Sequence, residues 1–319
     1  MQKNDSAEAI KNCILGAKSV VLAGHTNPDG DAIGACLAAA GALERAGKQV
    51  TVVLEKYAAK YDCIPNAHLV KQAEEAEVPE LFISLDCGDE GRLGKAGELF
   101  RQAEKTVSID HHGSNTYFAQ LNYVDGEASS TCEILYTVFG DIFPVTEKEA
   151  AALYAGLIYD TAGFRHSCTS PVTMRAAAEL MEHEIPFTDI YHRFFDDRSF
   201  SELKIMGKAL DKAELLFDGQ VIVSDMTNAE IKACGGNNKE MDAIINYMKG
   251  VIGTKIACFF YEKSETDVKG SFRGEDGYDV SALAQKFGGG GHVKAAGCTI
   301  TAPIGEAKAA VLKEIEKML

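Results

Sequence analysis

The chain has 319 residues, with 32 lysines and arginines against 47 aspartates and glutamates, a net charge of −15. At roughly 100–200 residues per domain this length predicts two domains, or one unusually large one. Ordinary globular fractions, 46% apolar and 25% charged, exclude disordered and low-complexity classes, and the acid excess repels long nucleic acids and anionic membranes, which argues against a duplex-DNA binder.

From Ser19 a short apolar, β-branched run reads as a strand, followed by a helix over Ala32–Ala46 and a second strand over Gln49–Leu54. Two more apolar runs, Leu81–Leu85 and Thr106–Ile109, alternate with helical or loop sequence, so the first half is expected to be a parallel sheet covered by helices. Gly140 and Pro144 separate a helix near Thr131–Phe139 from one near Glu147–Tyr159, and Pro171 and Pro186 punctuate the next helical segments. Beyond Asp211 the texture changes. Leu215–Phe217 and Val221–Ser224 flank Asp218-Gly219, a hairpin signal, with strand-like runs at Lys255–Tyr261 and Val268–Phe272 and a helix over Val280–Phe287 ahead of a glycine run. The expected architecture is α/β: a parallel-sheet domain over 1–195, a linker helix over 196–212, and a smaller α+β domain over 213–319, with a cleft between the two.

Nine cysteines, odd in number, scattered and without a C-x-x-C pair, suggest neither a disulfide framework nor a zinc knuckle. The N-terminus carries no basic segment ahead of an apolar one, and no stretch approaches the roughly 18 apolar residues of a membrane span. A cytoplasmic protein that binds no membrane is expected. Gly88–Gly94 does not follow the dinucleotide G-x-G-x-x-G spacing, and no Walker lysine is present. The absence of tryptophan, with 8% aromatics, speaks against a stacking platform for long single strands.

Three of the expected parallel strands end in a potential metal ligand: Ala23-Gly24 leads into His25, Leu85 into Asp86, and Ile109 into Asp110-His111-His112. Ligands of open α/β sheets bind at the carboxyl ends of the strands, so these groups should converge. Pro28 and Gly30 favour a turn that aims His25, Asp29 and Asp31 at one point, and Asp160 follows the apolar run Leu153–Tyr159. A lone D-x-D is commonly a helix cap and a turn residue, and Asp31 is a candidate cap of the helix that follows. Several carboxylates gathered with histidines, however, repel one another unless a cation joins them. Oxygen-rich ligands with a minority of imidazoles suit Mn²⁺ or Mg²⁺, and Cys87 beside Asp86 reads as packing. A cluster of this size suits two cations about 3.5–4 Å apart, which acidify a bridging water and stabilise an in-line displacement at phosphorus. Residues 1–195 carry −12 of the net charge, an excess that two divalent ions would largely offset.

The Asp110-His111-His112 triplet and the earlier His25-x-x-x-Asp29-x-Asp31 resemble the DHH phosphoesterase superfamily, and the segment from Gly270 through Arg273 and Asp279–Ala284 to Gly288–His292 and Gly297 resembles its DHH-associated C-terminal domain. A compact two-domain chain is most similar, within that superfamily, to the bacterial oligoribonuclease and pAp-phosphatase subfamily. The resemblance implies that His25, Asp29 and Asp86 hold one metal, and that Asp31, Asp86, His111 and Asp160 hold a second, with Asp86 shared. It implies an accepting role for Asp110 on a histidine ring, and contact of His112 with the scissile phosphate and its leaving oxygen. Asp86, Asp110 and His112 are thus the expected catalytic set. Arg273, Ser271, Gly289, Gly290, Gly291 and His292 would grip the substrate, with Arg165 as a further candidate; Gly274 stands where the subfamily more often has serine.

The expected activity is Mn²⁺-dependent hydrolysis of very short RNA to mononucleotides, of pAp to AMP, or both, with two ions per site and Mg²⁺ or Co²⁺ as substitutes. A phosphodiesterase of cyclic dinucleotides or their linear products is the alternative, and a non-catalytic nucleotide sensor the alternative of another class. Homodimerisation is left open, with the helix around Ser201–Leu210 as a candidate cover for a partner.

Overall fold

A computed structural model describes residues 4–237, 241 and 243–319, and divides into two compact units, 1–197 and 198–319. The first holds strands β1 (Ser19–Ala23), β2 (Gln49–Val53), β3 (Val70–Lys71), β4 (Leu81–Leu85), β5 (Lys105–Asp110) and β6 (Leu121–Val124) in one sheet of order β3-β2-β1-β4-β5-β6. Every neighbouring pair is parallel. Its main helices are α1 (Ala7–Gly16), α2 (Gly30–Arg45), α3 (Gly97–Gln102), α4 (Thr131–Thr137), α5 (Glu147–Asp160), α6 (Pro171–Met181) and α7 (Phe187–Tyr191).

Strand residues alternate between two apolar layers, as a sheet covered on both faces requires. Val20, Leu22, Ile83, Val107 and Ile109 join α2, α4 and α5, whereas Val21, Ala23, Val53 and Phe82 pack on Leu93, Leu99 and Phe100. Helix α2 is almost wholly buried, which its run of small residues allows. The close approach of α5 is fixed by Gly156: a Cβ there would stand 2.7 Å from Asp31 Oδ1 and also meet Cys132 Sγ.

The second unit adds α8 (Phe200–Asp211), α9 (Asn228–Ala233), α10 (Ile244–Lys249), α11 (Val280–Gln285) and α12 (Ile304–Ile315) around strands β7 (Glu214–Leu216), β8 (Val221–Met226), β9 (Ile256–Glu262), β10 (Asp267–Gly274), β11 (Gly290–His292) and β12 (Ala295–Thr301). The sheet order is β11-β12-β10-β9-β8-β7; β8 and β9 run parallel and the remaining pairs antiparallel. One face packs Cys258, Phe260 and Phe272 on Val311 and Ile315, and the other packs Ala257 and Phe259 on Ile205, Ile245 and Met248. Helix α8, in the stretch expected to link the domains, packs into this second core through Ile205 and Ala209 and leaves Phe200 and Leu203 exposed. Among the described residues no helix is long and apolar enough to cross a membrane.

Candidate metal and substrate site

The strand order reverses between β1 and β4, which makes their carboxyl ends the switch point of the sheet, the place where open α/β sheets bind ligands. His25 follows β1, Asp86 follows β4, and Asp110-His111-His112 closes β5, so three side-by-side strands deliver their acids and imidazoles to one edge. Asp86 holds a left-handed backbone, with φ of 55°. For a residue bearing a Cβ this costs about 1–3 kcal/mol, and such strain concentrates at functional sites.

Three overlapping groups have ligand atoms within 4.8 Å of one another: His25, Asp29 and Asp86; Asp86, His111 and His112; and Asp31, His111 and Asp160. His25 Nε2 lies 3.8 Å from Asp29 Oδ2 and 3.6 Å from Asp86 Oδ2. His111 Nε2 lies 3.4 Å from Asp86 Oδ1 and 3.1 Å from Asp160 Oδ2. All six residues expected to hold metal are therefore brought together. Asp86 belongs to two groups, and reaches the Asp31–Asp160 group through His111. His112 also falls within ligand distance of Asp86, at 3.5 Å.

Electrostatics shows what charge this assembly favours. Burial, followed by repulsion from Asp86 and Asp160, pushes the Asp31 carboxyl well above the ordinary range. Burial also raises Asp160, to about 6, against the pull of His111. His111 loses hydration, which disfavours its charge, but the facing Asp160 and Asp86 outweigh that and raise it to about 12. Buried carboxylates crowded in this way repel one another unless a cation joins them. The donor set, carboxylate oxygen with a minority of imidazole nitrogen, fits divalent Mn²⁺ or Mg²⁺. His25 is already oriented for such a role, because its Nδ1 meets the Thr26 carbonyl at 2.8 Å and leaves Nε2 facing the acids.

Asp110 stands outside the three groups. Its Oδ1 meets His112 Nδ1 at 2.8 Å, and its Oδ2 accepts from Asn115 Nδ2 at 2.7 Å. Burial opposes the Asp110 charge, yet the His112 and Asn115 hydrogen bonds outweigh it and hold the carboxyl low; the same Asp110 contact raises His112. Asn115 is buried and has no signal in the sequence that sets it apart, although it lies only five residues past Asp110. Cys87 is fully buried, its thiol donating to the Asp89 carbonyl.

Asp31 corrects one expectation. Asp29 is the N-cap of α2, accepting from the amides of Asp31 and Ala32. Asp31, turned inward by the first helical turn, accepts instead from the Thr131 and Cys132 amides at 2.6 and 3.0 Å. Asp160 is the last residue of α5 rather than the residue after it.

In the second unit, Lys269, Ser271 and Arg273 alternate onto the face opposite Phe272 and Val311. Arg273 and His292 are both in register with Ala295, and Ser271 and Gly290 with Gly297, so Ser271, Arg273, Gly290 and His292 share one face of β10-β12-β11, whereas Gly291 holds an opposite-face position opposite Ala296 and Gly289 precedes β11. The glycine run is not wholly a loop, since Gly290–His292 pairs with β12. Gly291 adopts φ of 143°, and a Cβ at Gly289 would collide with Cys298, so neither position accepts a side chain freely. Gly274 lies where a Cβ would stand 2.5 Å from the Tyr278 carbonyl, which accounts for glycine in place of serine. Arg165 lies in the exposed segment after α5, outside the carboxylate groups.

Comparison with known proteins places these features in a family. The DHH family N-terminal domain matches residues 19–157 and the DHHA1 domain residues 218–319. The bifunctional oligoribonuclease and PAP phosphatase NrnA of Thermus thermophilus is 29% identical over 284 residues, covering 88% of this chain and 84% of the relative. The cyclic-di-AMP phosphodiesterase PdeA of Listeria monocytogenes is 23% identical, covering 98% of this chain and 48% of that protein. The crystal structure of an exopolyphosphatase-related protein from Bacteroides fragilis superposes with a TM-score of 0.86 at 22% identity, covering 98% of this chain and 94% of that one. With strand-end acids on the first domain and both domains matched in this order, the chain carries a DHH N-terminal domain followed by a DHHA1 domain, and is an enzyme of the phosphoesterase class.

Proposed function

We propose that the protein is a cytoplasmic Mn²⁺-dependent phosphoesterase that hydrolyses very short RNA to mononucleotides, or pAp to AMP. The observation that carries this proposal is the set of three overlapping carboxylate–imidazole groups linked through Asp86 and His111, at the switch point of the parallel sheet. The similarity to NrnA, 29% identical over most of both chains, supports the substrate class.

His25, Asp29 and Asp86 are assigned to one cation, and Asp31, Asp86, His111 and Asp160 to the other. Cations so held would acidify the attacking water and neutralise charge building on the phosphoryl oxygens. His112, its Nδ1 tied to Asp110 and its side chain 34% exposed, is assigned to donate from its other nitrogen to the leaving oxygen. Arg273 offers a fork of donors to a phosphate, and His292 shares its face; the backbone amides of Gly289–Gly291 are the further donors assigned to the anion. Cytoplasmic placement agrees with nine cysteines that are all free thiols.

The similarity to PdeA favours a second reading, hydrolysis of cyclic dinucleotides or their linear products. Purified protein with Mn²⁺ is offered pAp, pApA, RNA of two to five nucleotides, a 24-nucleotide RNA and cyclic di-AMP. Turnover of pAp and the shortest RNAs, with the long RNA spared, is the expected result. Preferential cleavage of cyclic di-AMP or pApA selects the second reading, and binding without turnover of any substrate selects a nucleotide sensor.

A further inference from the structure

The carboxylates on which the three groups depend come from the end of β4, the start of α2 and the end of α5, and one residue touches two of them. Thr131 is the first residue of α4 and fully buried. Its backbone amide belongs to the first helical turn and has no partner within the helix, so it is available to a side chain. It donates to Asp31 Oδ2 at 2.6 Å. Its hydroxyl donates to Asp86 Oδ1 at 3.2 Å. Ser130 completes the turn as N-cap by accepting from the Glu133 amide, so the start of α4 is fixed independently of the two aspartates.

The hydroxyl contact matters because of what surrounds Asp86. Its Oδ2 faces His25 at 3.6 Å, and its Oδ1 faces His111 at 3.4 Å and His112 at 3.5 Å. Rotation of this carboxylate about its last bond would break the Asp86 contacts with both sides together. A donor on Oδ1 from a buried, β-branched side chain stops that rotation, because threonine has few χ1 choices and this one is packed in a helix. It also leaves Oδ2, and the remaining lone pair of Oδ1, for other partners.

We propose that Thr131 is a positioning residue: its hydroxyl sets the orientation of Asp86, and its amide that of Asp31, so that the groups take up divalent cations together. This rests on the assignment of the clusters to cations. Outer partners of ligating groups typically contribute 10–100-fold in metal affinity, so loss of the hydroxyl should weaken Mn²⁺ binding by about that factor.

The test uses the full chain in calorimetric titration with Mn²⁺, alongside the melting temperature of the metal-free protein. Thr131→Val keeps the branched shape and removes the donor; Thr131→Ser keeps the donor and removes the methyl group. The expected result is a Kd about 10- to 100-fold weaker for the valine variant, with the serine variant near wild type and the valine variant's metal-free melting temperature little changed. Thr131→Ala supplies the same contrast with serine if the valine variant does not accumulate as folded protein. Equal affinity of the wild type and the donor-less variants overturns the proposal, as does a serine variant as weak as valine, which would assign the effect to packing. A wild-type chain that binds no Mn²⁺ refutes the cation assignment itself.

Discussion

At the residue scale, the site depends on small groups that let acids approach. Gly156 is the sharpest case, since a Cβ there would press on both Cys132 Sγ and Asp31 Oδ1. Gly156→Ala should therefore destabilise the fold by about 1–3 kcal/mol, as overpacking of a tight core does, and weaken Mn²⁺ binding through Asp31. Chemical denaturation and a metal titration read the two effects separately, and unchanged metal affinity would disconnect Gly156 from the site. Most acids of the site are legible in the sequence because the signal is local: each ends a β-branched run or sits in a turn with proline and glycine. The inward turn of Asp31 is not, because its partners lie a hundred residues away on α4 and no local pattern announces them. The same holds for Thr131. Asn115 is hidden for a different reason: a lone asparagine in a loop reads as a turn residue until Asp110 is seen to face it.

At the element scale, the short β3 and the half-buried edge strand β6 carry no continuous apolar run and are not read from the sequence, whereas β1, β4 and β5 declare themselves because burial on both faces makes their sequences largely apolar. The Asp218-Gly219 hairpin is equally plain, and Phe217, Asp218 and Gly219 all take positive φ there. Strand β11 is not, since glycine carries no strand preference and its pairing with β12 is a tertiary event. An ion-pair network ties α8, β8 and α9 together: Lys212 Nζ bonds Asp225 Oδ2 and Glu230 Oε2, both at 2.9 Å. Burial disfavours the Glu230 charge, but the Thr227 amide and Lys212 outweigh it and hold the carboxyl down at about 2. Because the folded value lies below the unfolded one, about 4.3, the stabilisation is present above that pH and fades as pH falls toward 2. Thermal melts at pH 7 and pH 3 should show an acid loss that is smaller in Lys212→Met than in wild type. An equal loss in both would remove the network from the acid response.

For the whole molecule, length and charge point to two domains with the acid excess in the first part, and the chain divides into two compact units, 1–197 and 198–319. The chemistry divides in the same way. The first unit carries the acid and imidazole groups, and the second carries Lys269, Ser271, Arg273 and His292 on one face of its sheet. If that face grips substrate, Arg273→Ala should raise KM for a dinucleotide about tenfold or more, as loss of a charge-assisted hydrogen bond worth about 1.5–3 kcal/mol implies. Its Mn²⁺ affinity should remain that of the wild type. Steady-state kinetics paired with metal titration measure both, and a fall in kcat at constant KM would move Arg273 from binding to the chemical step.

In the proposed reading, Asp86 is the residue at which two cation sites meet to drive hydrolysis. Measuring Mn²⁺ stoichiometry and dinucleotide turnover side by side for wild type and Asp86→Ala tests that role most directly. Two ions per chain in the wild type, fewer than two in the variant, and turnover reduced by about 100-fold or more are the predicted results. An Asp86→Ala protein that still binds two ions and hydrolyses the dinucleotide at the wild-type rate would contradict it.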